Sequence, residues 1–558
     1  MKSQKQLSVL SQLCQRLKHI EPTEGVLHGL CSTDGTIVAV GISAKSPSTK
    51  HDVALLLPPP IMAIGKFLVC KGDFKHPELE DEEVAIVWDQ QDLHTFFKDG
   101  GTVLSTTCSV LSEIDFFDRY FLVRVPYNLD LTSKDSAASI KKVITNLKEI
   151  LESPAACFRL QNTTLLLQNS EDGILNLGGL FSDVDEAIEE ILKGLGKKKA
   201  LYQTAVFKLM LNRSVGRDSY APVVRVDNRK TNILVTHLNG EVVMYLEKSV
   251  PVCNVAKHLA EGIVQQLDLA EYWMNRQLQE DKLQGSLATF NSLHYTTGHL
   301  MSLLYPDKCD ETLLESYRKE VHKSLILPLD RPVVRRLNKI PALPDNKHAV
   351  LTNTHIGVKP SGVDGEVSIV LGTYGYHHYM QDRFDDNKWG CAYRSLQTLI
   401  SWFRYQGYTD KPIPTHREIQ KCLVNIGDKP SSFIGSTQWI GSTEVGFVLE
   451  SMFNITSRFI NVSSGAELVY KGRELAMHFK LQGSPIMIGG GVLAHTIIGV
   501  DFNPETGDIS YLILDPHYTG SEDLSTIQSK GWCGWKGPDF WKTDAYYNLC
   551  LPQRPICI

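Results

Sequence analysis

The sequence predicts an α+β protein built in two parts, and three observations lead there. Short apolar runs of strand character alternate with amphipathic stretches of helical period along the chain. Its 558 residues exceed what one core usually serves, which implies at least two domains. Pro328, Pro332, Pro341, Pro344 and Pro360 punctuate a polar stretch where a connection belongs. We therefore expect a mixed α/β region over residues 1–330, a linker over 331–345 and a second domain over 346–558.

Composition narrows the class. The chain is 42% hydrophobic and 22% charged, ordinary for a globular protein. Its net charge of −6, from 57 basic and 63 acidic residues, argues against nucleic acid as a direct partner, which would select a basic surface. The 12 cysteines are scattered, with no C-x-x-C pair or Cys/His cluster at zinc spacing. No Gly-x-x-x-x-Gly-Lys-Ser/Thr occurs, so Gly194 to Lys199 reads as a helix cap and a solvated basic turn. No metal or cofactor is expected. The first residues lack the apolar core of a signal peptide. No run of about eighteen apolar residues appears, so no transmembrane segment is expected. A reducing compartment, cytoplasmic or nuclear, follows as the expectation.

In the first part, residues 5–20 place Leu7, Leu10, Leu13, Leu17 and Ile20 on one helical face. Strands are expected at 36–40, 53–57 and 83–87, the second ended by Pro58-Pro59-Pro60. Helices are expected over 134–153 and about 183–195. Residues 231–247 read as a hairpin turning at Asn239-Gly240, the strongest short hairpin signal. Helices follow over about 254–281 and 311–325. This part carries no His-x-His, no H-E-x-x-H and no nucleotide fingerprint, so it reads as a non-catalytic region for substrate or partner binding.

The chemistry concentrates in the second part. Residues 374–403 crowd aromatic and acidic side chains ahead of Trp389-Gly390-Cys391. After Cys391, the residues Leu396, Leu399, Ile400 and Phe403 recur at helical spacing. Cys391 thus falls in the first turn of a helix, where unpaired N–H groups and the macrodipole favour thiolate, the nucleophilic form. Asp382, Asp385 and Asp386 fit no calcium-loop spacing and read as capping, solvated residues. Tyr374, Tyr376 and Tyr379 read as one half-buried strand face.

A nucleophile needs a base. Asp515-Pro516-His517 follows the apolar strand 511–514, and residues i and i+2 of extended chain share a face. Asp515 is thereby placed to orient His517, giving nucleophile, base and orienter. His517 lies 126 positions after Cys391 (517 − 391), a separation within reach of the papain-like pattern. His495, in Gly-Gly-Gly-Val-Leu-Ala-His-Thr, is a rival base. The carboxylate beside His517 favours it and leaves His495 as a pocket or core residue. Strands at 486–488, 496–500 and 511–514 complete a papain-like layout, with cysteine on a helix and histidine beside a sheet. Thr415 and Glu418 spell a capping box for a further helix.

Four segments, WGCAYRSLQT, QWIGS, GGGVLAHT and LDPHYTG, together resemble the cysteine proteases specific for the ubiquitin-fold modifier. The long N-terminal extension is similar to that of the larger family member. The match is dense from about Gly372 onward, and departs at Lys388, where the family pattern carries glycine. The resemblance implies Cys391 as nucleophile, His517 as base, Asp515 as orienter and Tyr379 as an oxyanion-hole donor. It implies the modifier and its conjugates as substrates, cleaved after a C-terminal glycine, with precursor maturation by the same chemistry. It implies an MPN-like N-terminal domain and recruitment through it to an endoplasmic-reticulum membrane adaptor and the ribosome. Autophagy-type modifier proteases share Asp-Pro-His, and a catalytically weak scaffold or a transglutaminase-type acyl transferase could keep the same three residue types.

Overall fold

A computed structural model describes residues 6–45, 53–72, 74, 77–134, 136–170, 174–176, 185–194, 203–211, 233–279, 285–307, 311–336, 339–340 and 350–558. The chain divides into two compact units, Met1–Leu329 and Asp330–Ile558.

Among the described residues, the first unit is built on two eight-stranded sheets. In one, Thr23–Cys31 pairs antiparallel with both Ile37–Ala44 and Met62–Val69. In the other, Tyr120–Lys134 and Ile233–Glu247 run antiparallel along their full length. The helices Ala137–Leu151 and Val252–Gln279 pack together beside that second sheet. The helix Glu311–Ser324 also lies where its period places it. Residues 195–199 of the basic turn lie outside the described residues.

Three local expectations are corrected here. Asn239-Gly240 makes no turn; both residues sit within the strand Ile233–Glu247, opposite Asn128 and Tyr127. The glycine answers a close approach instead, since a Cβ at Gly240 would lie 2.0 Å from the Tyr127 ring. Residues 5–20 split into the strand Leu7–Leu10 and the helix Ser11–Leu17. That strand pairs in parallel with Ile37–Ala44 on one side and Cys108–Leu111 on the other, and burial on both faces selects extended chain over helical period. Val53–Leu56 is a 3-10 turn rather than a strand. The Gln265 side chain donates to the Ala54 and Leu57 carbonyls, at 2.6 and 2.8 Å.

The second unit is a seven-stranded sheet covered on both faces. Its ladder runs Ser457–Val462, Tyr547–Pro552, Ile486–Gly490, Leu493–Phe502, Ile509–Leu514 and Cys533–Lys536, with Glu366–Ile369 paired to Leu493–Phe502. The last strand in sequence, Tyr547–Pro552, is therefore inserted between two earlier ones. Successive side chains point to opposite faces. Leu512 and Leu514 join the apolar cluster around the Cys391 helix, while Tyr511 and Ile513 join the opposite cluster under the helix Gly472–Leu481. Residues with apolar neighbours on both sides read as continuous hydrophobic runs, as 486–488 and 511–514 do. The predicted capping box holds: Thr415 accepts from the Glu418 amide, and Glu418 accepts from the Thr415 amide. No helix among the described residues is long and apolar enough to cross a membrane.

Candidate active site

Cys391 is the first residue of the helix Cys391–Tyr405, and Gly390 is its N-cap. The helix is buried from Cys391 through Phe403, so it packs on every side and not only through its apolar face. Gly390 is dictated by space, because a Cβ there would lie 2.6 Å from both Cβ and Oδ2 of Asp386. The strands Ile486–Gly490 and Leu493–Phe502 lie against the helix.

The strand Ile509–Leu514 ends at the base. Asp515 Oδ1 accepts from the His517 amide at 3.0 Å and lies 2.5 Å from His517 Nδ1. Carboxylate and imidazole therefore meet through a tight Asx-type turn, not through the extended i, i+2 geometry expected from the sequence. The Asp515 amide donates to the Trp532 carbonyl at 2.8 Å, and the Tyr376 hydroxyl donates to the Asp515 carbonyl. The turn is thus held at its backbone while its side chains face inward.

The segment 374–379 is not a half-buried strand face. Tyr374, Tyr376, His377, His378 and Tyr379 are all buried, and the segment is irregular apart from one bridge at Gly375. It is laced to the helix and to the turn. The His377 amide donates to Thr398 Oγ1 at 3.1 Å, and the Tyr379 amide donates to the Pro516 carbonyl at 2.9 Å. His378 bridges to Glu522 at 3.0 Å. These contacts set the Tyr379 ring edge-on to His517, with centroids 5.3 Å apart. The Tyr379 hydroxyl interacts with both the sulfur and the backbone amide of Cys391.

The electrostatics suit a nucleophile. Burial alone would raise the Cys391 thiol, yet the His517 imidazole, the Tyr379 hydroxyl and the Ala494 amide outweigh it and hold the thiol below its ordinary value. Burial likewise opposes charge on His517, but Asp515 and Cys391 bring it up to about 9. Asp515 is held below the usual carboxylate range because its hydrogen bond from His517 outweighs its burial. The thiol and imidazole thus favour the thiolate–imidazolium pair. Nε2 of His517 is buried, makes no hydrogen bond of ordinary geometry and is the ring nitrogen that Asp515 does not engage.

His495 is brought in beside this group. Its Nε2 lies 3.9 Å from Asp515 Oδ2, and its ring stands 5.2 Å from that of His517. Phe540 and Trp541 close over its other sides. Burial pushes it down to about 4, so it stays neutral, a pocket residue as expected. His495, Asp515 and His517 offer atoms within 4.8 Å of one another. One carboxylate oxygen is already engaged by His517, while His495 stands 3.9 Å from the other, beyond hydrogen-bond distance.

The reading of Asp386 as a solvated residue is overturned. It is fully buried, with Oδ2 2.6 Å from Arg394 Nε and Oδ1 accepting from the Met380 amide at 2.8 Å. Asp382 stays exposed and reaches Arg394 Nη1 at 3.2 Å, and Asp385 caps the Asn387 amide. The sequence does hold a signal for this pair. Arg394 lies one helical turn after Cys391, on a buried helix, and a buried guanidinium demands a carboxylate. Lys388, the departure from the family pattern, has φ +72, a left-handed conformation that glycine adopts without strain.

The chain is similar to known proteins along most of its length. Residues 365–550 match the family model described as Peptidase family C78, and residues 141–348 match Ubiquitin-fold modifier 1 specific protease 2, N-terminal. Ufm1-specific protease 2 of Gallus gallus is 45% identical over 452 residues, spanning 77% of this chain and 97% of that protein. Ufm1-specific protease 2 of Homo sapiens is 43% identical over 442 residues, spanning 75% and 93%. A crystal structure of UfSP from C. elegans superimposes with a TM-score of 0.73 at 27% identity, covering 99% of this chain and all of that one.

Proposed function

The chain belongs to the Ufm1-specific protease 2 family, and on that premise we propose the course of its reaction and its setting. It is a cysteine protease of peptidase family C78, specific for Ufm1. It removes the modifier from target lysines and matures the modifier's precursor, in both cases by cutting after a C-terminal glycine. Cys391 is the nucleophile, His517 the base, Asp515 the orienter and Tyr379 the oxyanion donor. The single observation that carries this assignment is the Asp515–His517 contact of 2.5 Å, set edge-on to the Tyr379 ring in the unit whose buried helix Cys391 begins.

In the reaction, His517 draws the proton from Cys391 and the thiolate attacks the glycyl carbonyl. The Tyr379 hydroxyl and the Cys391 amide donate to the developing oxyanion. The imidazolium returns its proton to the departing amine, leaving a thioester. Water, deprotonated by His517, releases the modifier and restores the thiol. At Gly489 to Gly491, where the strand Ile486–Gly490 ends, the modifier's tail approaches the backbone closely. A modifier carrying a C-terminal electrophile tests the assignment. It should label Cys391 in the native protein and in His495→Gln, and label slowly in His517→Asn. Equal labelling in His517→Asn rejects His517 as the base.

The N-terminal region is a non-catalytic, MPN-like domain. It holds the enzyme to an adaptor on the endoplasmic-reticulum surface from a cytoplasmic pool. The match of residues 141–348 to the family's N-terminal model and the lack of His-x-His in the sequence support this. Fractionation of cells tests it, and a protein found wholly apart from endoplasmic-reticulum membranes rejects it.

A further inference from the structure

The loop between Tyr379 and Cys391 joins the proposed oxyanion donor to the nucleophile, and nothing in the reaction yet explains what fixes its shape. The loop is strained. Met380, Asp382, Arg383 and Lys388 all have positive φ, between +56 and +72, and non-glycine residues in that region cost on the order of 1 kcal/mol or more each. Such conformations persist only where their surroundings impose them.

What imposes this one is Asp386. Its Oδ1 accepts from the amide of Met380, the residue after Tyr379, at 2.8 Å. Its Oδ2 lies 2.6 Å from Nε of Arg394, one turn into the helix that Cys391 begins. Its backbone carbonyl accepts from the amides of Trp389 and Gly390, at 3.2 and 2.9 Å. The side chain also fills the space above Gly390 that a Cβ would need. One buried residue therefore grips both ends of the loop. His416 adds to the grip. Its Nε2 lies 3.0 Å from the same Oδ2, off the line of an ideal hydrogen bond. Its ring stacks on Tyr393 at 4.9 Å, with Phe384 and Trp389 against it.

We propose that Asp386, with Arg394 and His416, is a positioning residue that holds the Tyr379 hydroxyl in register with the Cys391 amide and sulfur. This rests on Tyr379 being the oxyanion donor. Asp386 touches neither substrate nor reacting atoms and acts on the reaction through that tyrosine. The Asp515–His517 turn belongs to another segment, so the larger part of the thiol's acidity, which comes from His517, should be left in place while the oxyanion site loosens.

The test is a double-mutant cycle on the full chain, with cleavage of a modifier fusion as the assay. Tyr379→Phe should lower kcat about 10²–10³-fold. Asp386→Asn keeps size and one acceptor but removes the charge. It should lower kcat about 10–100-fold, as sub-ångström to ångström misplacement does, with KM within about twofold. In the Tyr379→Phe background it should cost almost nothing more, because residues acting through one group are not additive. The pH dependence of Cys391 alkylation by iodoacetamide should move upward no further in Asp386→Asn than in Tyr379→Phe. An equal loss in both backgrounds, or an alkylation profile moved further upward than in Tyr379→Phe, overturns the proposal. Full kcat in Asp386→Asn beside a crippled Tyr379→Phe overturns it alone. Full kcat in Tyr379→Phe removes the oxyanion reading and this proposal with it. Should Asp386→Asn fail to fold, His416→Gln runs the same cycle, and the same outcomes support or overturn the proposal.

Discussion

The imidazole of His517 is clasped on two sides: Asp515 Oδ1 lies 2.5 Å from its Nδ1, and the Tyr379 ring meets it edge-on at 90°. The first contact fixes the tautomer, leaving Nε2 to take a proton. The second prevents the ring from swinging away from the sulfur.

Replacing Asp515 by Asn should therefore cripple turnover without disturbing the fold. The amide can present its NH2 to Nδ1 and stabilise the wrong tautomer, which costs about 10⁴-fold in kcat where it has been seen in such triads. Cleavage kinetics on a modifier fusion, with thermal unfolding as a control, check this. A loss below about tenfold would mean that the base is held by something else.

The pH profile follows from two opposed displacements. Cys391 is held below its ordinary value and His517 is brought up to about 9. The active form is the charged pair, so kcat/KM should rise as the thiol ionises on the acid side and fall as pH passes about 9, where the imidazolium gives up its proton. The two apparent values belong to the pair rather than to either residue. His517→Asn should move alkylation of Cys391 upward, because the group that lowers the thiol is gone. Initial alkylation rates between pH 5 and 10 check both statements.

Gly240→Ala should destabilise the first unit by about 1–3 kcal/mol, the usual cost of overpacking. The Tyr127 ring cannot easily yield, since its hydroxyl donates to buried Gln266 at 2.6 Å. Thermal and denaturant unfolding measure this, and a variant as stable as the native chain would show that the strand separates there.

Lys388→Gly should stabilise the second unit modestly. Relief of a left-handed lysine is worth about 1–2 kcal/mol, less the ~0.5–1 kcal/mol that glycine loses in chain entropy. A net gain of about 0.5–1 kcal/mol follows, read as a higher midpoint in urea, with cleavage rates unchanged.

Cys391, His517 and Asp515 were legible as candidates because each sits in a local pattern. Cys391 precedes a helical period, and Asp515 is two residues from His517. The strands 486–488 and 511–514 were legible from unbroken apolar runs. What failed depended on distant partners. Asn239-Gly240 has the chemistry of a turn, and only the ring of Tyr127, more than a hundred residues away in sequence, shows why glycine is there. Asp386 looks like any capping aspartate until Arg394 and His416 are seen beside it. Leu7–Leu10 has helical spacing, yet two neighbouring strands claim it. Tyr379 had no signal of its own, since its ring is placed by the bond from its amide to the Pro516 carbonyl and by the bond from the Met380 amide to Asp386, which no spacing encodes.

The insertion of Tyr547–Pro552 between two earlier strands has a consequence for synthesis. A nascent chain presents its sulfur long before its imidazole, and the sheet supporting both keeps a gap until the last of its strands has left the exit tunnel. Hydrolytic power should therefore switch on abruptly, once that strand is free to pair. A stop codon just upstream of Tyr547 would yield a protein with every reacting group present and no firm scaffold to align them.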